Sequence, residues 1–199
     1  SVQDANPPPL GPLLLAQDFN AGVPAGWSHY DEGTISAPSN WRVVGGELAQ
    51  QSNIRDGSTA NDLAKLGTYL LYEGGDAWTN YRAKFKLRST DDDTLGVMFR
   101  FIDANNYYRF SWDAQLKQRR LVKKVGGVYT LLAADSVPYV LGRNYQAELV
   151  VQGSQLEVWI DGARVFQVSD ASLTQGTLGF YTWQNNGAYF DDVQVNAIP

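Results

Sequence analysis

The sequence predicts an all-β fold, a two-sheet antiparallel jelly-roll sandwich, and three observations carry that expectation. Apolar and polar residues alternate with period two along Tyr81-Arg82-Ala83-Lys84-Phe85-Lys86-Leu87-Arg88, so one face of that strand packs while the other meets water. About a dozen short runs of β-favouring composition recur along the chain. Several are separated by turn residues suited to positive φ, as at Gly126-Gly127, Gly153-Ser154 and Asp161-Gly162. Helical periodicity is confined to one short candidate, Asn61 to Leu66.

Taken in order, Ser1 to Pro12 (SVQDANPPPLGP) reads as a proline-rich linker or tail, because consecutive prolines favour extended polyproline geometry. Residues 13–199 read as a single jelly-roll domain. Its upstream strand candidates are Leu13 to Phe19, Trp41 to Gln50 and Leu66 to Tyr72, while Trp27-Ser28-His29-Tyr30-Asp31 reads as loop. Tyr81 to Arg88, Leu95 to Ile102, Tyr107 to Trp112, Gln118 to Val125 and Val128 to Ala133 follow. Tyr145 to Val151, Leu156 to Ile160, Arg164 to Val168, Thr177 to Trp183 and Ala188 to Asn196 complete the set. No repeat of fixed period appears, which argues against a propeller or solenoid.

Composition narrows the chemistry. A hydrophobic content of 44% suffices for a core, and no apolar run is long enough to span a membrane, so no membrane insertion is expected. No leader pattern is read at the start of the sequence. The absence of cysteine excludes disulfides, thiolate metal sites and cysteine nucleophiles. His29 is the one histidine, which excludes multi-histidine metal sites and argues against a histidine triad. Net charge is −5, yet Arg82 to Lys124 holds eleven of the sixteen Lys and Arg residues against five of the twenty-one acids. Such a basic sector steers polyanions such as acidic glycans, unless it is simply a set of solvated strand faces. Duplex nucleic acid is not expected of an acidic chain with no recognition helix.

Asp18-Phe19 with Gly26-Trp27, then Trp41-Arg42-Val43-Val44-Gly45-Gly46-Glu47-Leu48, then Val158-Trp159-Ile160-Asp161-Gly162 occur in that order. Gly176-Thr177-Leu178-Gly179-Phe180-Tyr181 and Phe190-Asp191-Asp192-Val193-Gln194-Val195 follow. This series resembles the concanavalin A-like lectin/glucanase superfamily of curved jelly rolls. Asp91-Asp92-Asp93-Thr94-Leu95-Gly96 and the aromatic strand after it are similar to the lectin-like C-terminal domain of thrombospondins. Laminin G-like modules share the strand and hairpin grammar. The resemblance covers nearly everything after the proline tail, and a fold shared by many activities leaves function to the site.

Two calcium sites are expected. The resemblance implies a structural ion joining the chain ends, with Asp18, Gly45 or Gly46, and Asp191 or Asp192 as the matching positions. Strand parity favours Asp191, which shares a face with Val193 and Val195 on regular alternation. Second, Asp91, Asp92 and Asp93 form three adjacent carboxylates, whose repulsion is costly unless solvent or a hard cation neutralises it. Asp103, Asn105 and Asn106 lie at the other end of the following strand, about 26 Å away, so an ion at the triplet must recruit another loop.

Sugar rings stack on aromatic faces while planar side chains fix their hydroxyls. Tyr108 and Trp112 share one strand parity, Trp183 lies on a later strand, and Arg100 and Arg109 stand nearby, so these five form the expected carbohydrate platform. Against it stands the usual placement of large strand aromatics in the core. Glucanases of this fold set paired acids on one strand face. The five glutamates here, Glu32, Glu47, Glu73, Glu148 and Glu157, make no such cluster. Lyase chemistry would need a base such as Tyr108 or His29 beside Arg109 or an asparagine.

The resulting reading is a non-catalytic, calcium-stabilised carbohydrate-binding or adhesion module of an exported bacterial protein, secreted or at the cell surface. It binds a polysaccharide or other glycan, acidic ones included, and is linked to other domains. A polysaccharide hydrolase or lyase using the concave sheet, and a protein-interaction module, are the alternatives.

Overall fold

A computed structural model describes residues 6–199. Fifteen strands follow one another with no helix among the described residues. They are β1 (Leu13–Gln17), β2 (Trp27–Asp31), β3 (Trp41–Val44), β4 (Glu47–Gln50), β5 (Thr68–Tyr72), β6 (Tyr81–Ser89), β7 (Thr94–Asp103) and β8 (Asn106–Asp113). β9 (Gln118–Val125), β10 (Val128–Asp135), β11 (Tyr145–Gln152), β12 (Gln155–Ile160), β13 (Ala163–Ser169), β14 (Thr177–Trp183) and β15 (Ala188–Ala197) complete the chain. One sheet runs β13-β12-β11-β6-β15-β4-β3, with β1 also on β15; the other runs β10-β9-β8-β7-β14-β5-β2. Every pairing is antiparallel.

The two sheets pack face to face over one core. Ala83, Phe85 and Leu87 of β6 meet Leu95, Val97 and Phe99 of β7, Tyr108, Phe110 and Trp112 of β8, and Leu178 and Phe180 of β14. Period-two alternation therefore buries the face it predicts. Two expectations are corrected. Trp27–Asp31 is an edge strand pairing with β5, with Trp27 inside and Tyr30 outside, and Asn61 to Leu66 forms no helix. The chain ends meet: β1 pairs with β15, the Gly11 amide donates to the Ala197 carbonyl, and Arg82 donates to the Pro8 carbonyl. Residues 8–12 thus run along the first sheet, while the first five residues lie outside the described part.

β2 and β9 stand five strand steps apart in the second sheet, about 24 Å if that sheet were flat. Yet Glu32, just beyond β2, brings its carboxylate to 3.9 Å from Lys124 Nζ on β9. Two side chains cannot span that distance unaided, so the sheet bends around its outer face, which is concave. Residues 53–66 cross this hollow, and Gly67 leads the chain into β5. A side chain at Gly67 would put its Cβ 1.9 Å from the Thr182 carbonyl oxygen, so glycine is required for the crossing segment to sit this close.

Candidate functional site on the concave sheet

The concave face carries its own aromatic layer, separate from the inter-sheet core: Tyr69, Leu71, Met98, Phe101, Tyr107, Tyr181 and Trp183, with Tyr129 against it. The 53–66 segment is pinned across one half of this layer. Arg109 donates to the carbonyls of Leu63 (2.6 Å) and Ala64 (2.9 Å), and its guanidinium lies 4.4 Å from the Tyr181 ring. Tyr181 donates to the Lys65 carbonyl, Trp183 Nε1 to Asp56, and Arg120 to the carbonyls of Ala60 and Asp62. Lys65 donates to the Thr59 carbonyl and lies 4.0 Å over Trp183. Burial, reinforced by Arg120 and Arg109 against the pull of Asp113 and Asp62, lowers its ammonium to about 8.

The other half surrounds Glu32, whose side chain is 16% exposed. Tyr30, 44% exposed, stacks on Tyr69 with centroids 5.3 Å apart. Across the hollow, the hydroxyls of Tyr107 and half-buried Tyr129 are 2.8 Å apart. Lys124 donates to the Ala104 carbonyl and sits 5.0 Å over the Tyr129 ring. Burial raises the Glu32 carboxyl above its ordinary range, with Asp56 adding to the rise and Lys124 and Arg109 opposing it. Among the described residues no hydrogen bond occupies the Glu32 oxygens, and Lys124 is the one cation paired with them. A carboxyl that holds a proton more readily than usual, a cation and three tyrosine hydroxyls therefore surround one aromatic hollow.

The expected platform is differently placed. Arg100, Tyr108, Arg109, Trp112 and Trp183 are all 5% exposed or less. Tyr108 and Trp112 point into the inter-sheet core, where Tyr108 donates to Asp170 and Trp112 to the Val137 carbonyl. Arg100, at φ +43 in a register shift of β7, donates to the carbonyls of Thr79, Gly153 and Leu173. Only Arg109 and Trp183 face the hollow, and both lie beneath the 53–66 segment. Tyr108 and Arg109 consequently stand on opposite faces and cannot work as a lyase pair. Glu148 pairs with Arg82, and Glu157 accepts from Trp159, Arg164 and Gln167, all on the first sheet. Glu32, Tyr30 and Tyr129 went unselected because only the bend of the sheet brings them together.

The basic sector is largely neutralised internally. Arg82, Lys86, Arg88, Arg119, Lys123 and Lys124 pair with Glu148, Asp192, Glu47, Asp135, Asp170 and Glu32. Arg100, Arg109 and Arg120 bond to carbonyls. Among the described residues, Lys84 and Lys117 are the two of the eleven with neither.

Asp18 and Asp192 line an open cavity of about 430 Å³ beside β1 and β15. Asp18 accepts from the Asn20 amide, and the Gly45-Gly46 turn has positive φ at both residues. Asp191 Oδ1 is buried without a hydrogen-bond partner, as a ligand oxygen would be. Burial raises the Asp191 carboxyl, with Asp192 and Glu47 adding to it. The parity argument is corrected, however. A bulge between Asp191 and Gln194, with Asp192 at φ +48, puts Asp191 opposite Lys86 on the outer face, while Val193 and Val195 enter the core. An orphaned oxygen beside further acids fits a hard cation.

The Asp91, Asp92 and Asp93 carboxylates do converge, with oxygens within 4.8 Å of one another. The loops recruited to this turn are 114–115 and 185–187, together with Tyr139. Burial, then Asp91, Asp113 and Asp92, push Asp93 up to about 7.

Comparison with known proteins agrees with this architecture. A carbohydrate-binding module (CBM66) of Bacillus subtilis superposes with a TM-score of 0.63 at 18% identity, covering 86% of this chain and 96% of that one. A Bacillus subtilis protein of unknown function with a galectin-like fold gives a TM-score of 0.74 at 12% identity, covering 96% and 98%. A β-glucanase of Bacillus licheniformis gives 0.60 at 12% identity, covering 94% and 98%. These likenesses establish the jelly-roll fold of the concanavalin A-like class. No curated protein sequence matches the chain. The model of the 3-keto-alpha-glucoside-1,2-lyase-like domain matches residues 16–196, and the chain belongs to that family.

Proposed function

We propose that this domain recognises a glycan in the half of the concave sheet around Glu32, as a non-catalytic module of a secreted or cell-surface protein. The observation that carries the reading is the Glu32–Lys124 pair above an aromatic layer that leaves Tyr30 exposed. Tyr30 offers a stacking face, and Tyr129, Glu32 and Lys124 offer donors and acceptors to ring hydroxyls. Family membership and the fold shared with a carbohydrate-binding module support a saccharide ligand. Since the basic sector is mostly paired, Lys124 beside Glu32 is the cation at the hollow that would meet an acidic glycan. Calcium at Asp18, Gly45 and Asp191 would stabilise the chain-end seam through hard oxygen ligands. A glycan array followed by calorimetry, with and without chelator, tests the proposal. Tyr30→Ala and Glu32→Gln should each weaken binding at least tenfold while the melting temperature stays within a few degrees; retained affinity in both would overturn it.

One observation favours a second reading, catalysis. The raised Glu32 carboxyl lies beside an ammonium, an acid–base arrangement suited to elimination from a 3-keto glucoside. The C3 ketone acidifies the C2 hydrogen. Glu32 would take that proton, the electron pair would form a C1–C2 double bond, and the C1–oxygen bond would break with Lys124 protonating the departing oxygen. Release of unsaturated product from a 3-keto glucoside by the wild type, lost in Glu32→Gln, would establish this reading; substrate returned intact would exclude it.

A further inference from the structure

The turn between β6 and β7 has a property that neither the glycan hollow nor the chain-end seam explains. The carbonyls of its three aspartates are all engaged by the protein. The Asp91 carbonyl accepts from Ser89 and Tyr139 (2.7 Å each), and the Asp93 carbonyl from Tyr139 and Asn185 Nδ2 (2.8 Å for the latter). The Asp92 carbonyl accepts from the amides of Ala114 (3.0 Å) and Gln115 (2.8 Å). With the carbonyls held elsewhere, the three carboxylates are left facing one another. Asp91 spends Oδ2 on the Asn186 amide, and Asp113, 1% exposed, accepts from Thr94 and the Leu116 amide. Asp93 is different: its side chain is 7% exposed, and its Oδ1 is buried with no hydrogen-bond partner in the protein. Lys65, the cation near enough to influence Asp93, is held by Thr59 and Trp183 instead.

We infer that Asp91, Asp92 and Asp93 form a second divalent-cation site, suited to calcium, with the orphaned Asp93 Oδ1 as its innermost ligand. A buried carboxylate oxygen without a donor costs free energy that a hard cation removes, and three converging carboxylates meet the charge of such an ion with water completing its coordination. Asp91 and Asp92 are only half-buried, so the ion reaches the site from solvent. Bound there, it braces the β6–β7 turn, which hydrogen bonds already hold to loops 114–115 and 185–187 at the rim of the concave sheet. This inference stands on the turn alone and does not depend on the glycan reading.

Terbium tests it, because its emission under tryptophan excitation requires a nearby indole, and Trp183 pairs with Thr94 beside the triplet. Wild-type protein should sensitise bound terbium, and calcium should displace it. Asp93→Asn and Asp91→Asn should each reduce terbium affinity at least tenfold, whereas Asp191→Asn at the seam should leave it within twofold. Metal-free Asp93→Asn should melt no lower than the wild type, since it removes a buried unpaired charge; calcium should raise the melting temperature of the wild type more than that of the variant. No sensitised emission from the wild type, or wild-type terbium affinity in Asp93→Asn, would overturn the inference, and neither result would bear on glycan binding.

Discussion

Arg109 is the pin of the concave face, and Arg109→Met isolates what it holds. Methionine keeps an aliphatic stem against Tyr181 but loses the two hydrogen bonds to the Leu63 and Ala64 carbonyls and the guanidinium 4.4 Å from the ring. Hydrogen bonds from a charged donor contribute about 1.5–3 kcal/mol each, and a desolvated cation–π contact about 2 kcal/mol. Against this, the variant no longer buries a charge, which returns several kcal/mol. The half-buried Leu63 and Ala64 carbonyls also recover solvent once the segment lifts. The net loss should be about 2–4 kcal/mol, near 10 °C in melting temperature for about 200 residues. The loss should be local first. In hydrogen exchange followed by mass spectrometry, peptides covering 58–66 should lose protection by about thirtyfold or more, at tenfold per 1.4 kcal/mol, before the core strands respond. Unchanged urea midpoint together with wild-type exchange in 58–66 would refute the assignment of Arg109 as the anchor of that segment.

Two further predictions concern pH. Burial raises the Asp170 carboxyl, but hydrogen bonds from Lys123, Tyr108 and Ser172 outweigh it and hold the group well below its ordinary range. A depressed carboxyl stabilises the fold above its unfolded pKa and loses that contribution as pH falls below about 4. Asp170→Asn should therefore cost about 2 kcal/mol at pH 7, with the difference shrinking towards pH 2 in urea titrations. Lys65, lowered from 10.5 to about 8, gives a slope of the same sign in the alkaline range. Between those values the unfolded chain binds more protons than the folded one, so stability rises with pH by up to about 1.4 kcal/mol per unit. Lys65→Met should flatten that alkaline rise, as measured by denaturation between pH 7.5 and 10.5; an identical slope in both proteins would contradict the buried ammonium.

The alternation in Tyr81–Arg88 fixed that strand's boundaries almost to the residue, because period two is a local property that packing on one face preserves, and runs of β-favouring residues did the same for Gln118–Val125 and Thr177–Trp183. The sheet membership of β2 was not legible: an edge strand with Ser28, His29, Tyr30 and Asp31 largely outside carries little alternating hydrophobicity. Parity also failed at Asp191, where one extra residue in a bulge reverses the faces.

What the sequence determined by itself was the two-layer antiparallel architecture, the absence of cysteine and multi-histidine chemistry, and the acidic triplet as a place of concentrated charge. Tertiary structure decided which aromatics are available. Tyr108 and Trp112 look like sugar-stacking residues until the opposing sheet covers them, and Trp183 until the 53–66 segment does. It also created the hollow: Glu32 and Lys124 are 92 positions apart in the chain and five strands apart in the sheet, and become neighbours only because the sheet bends. Alternation is set by each residue's own backbone, whereas curvature and coverage arise from the summed twist of many strands and the path of one crossing loop, which no local pattern encodes.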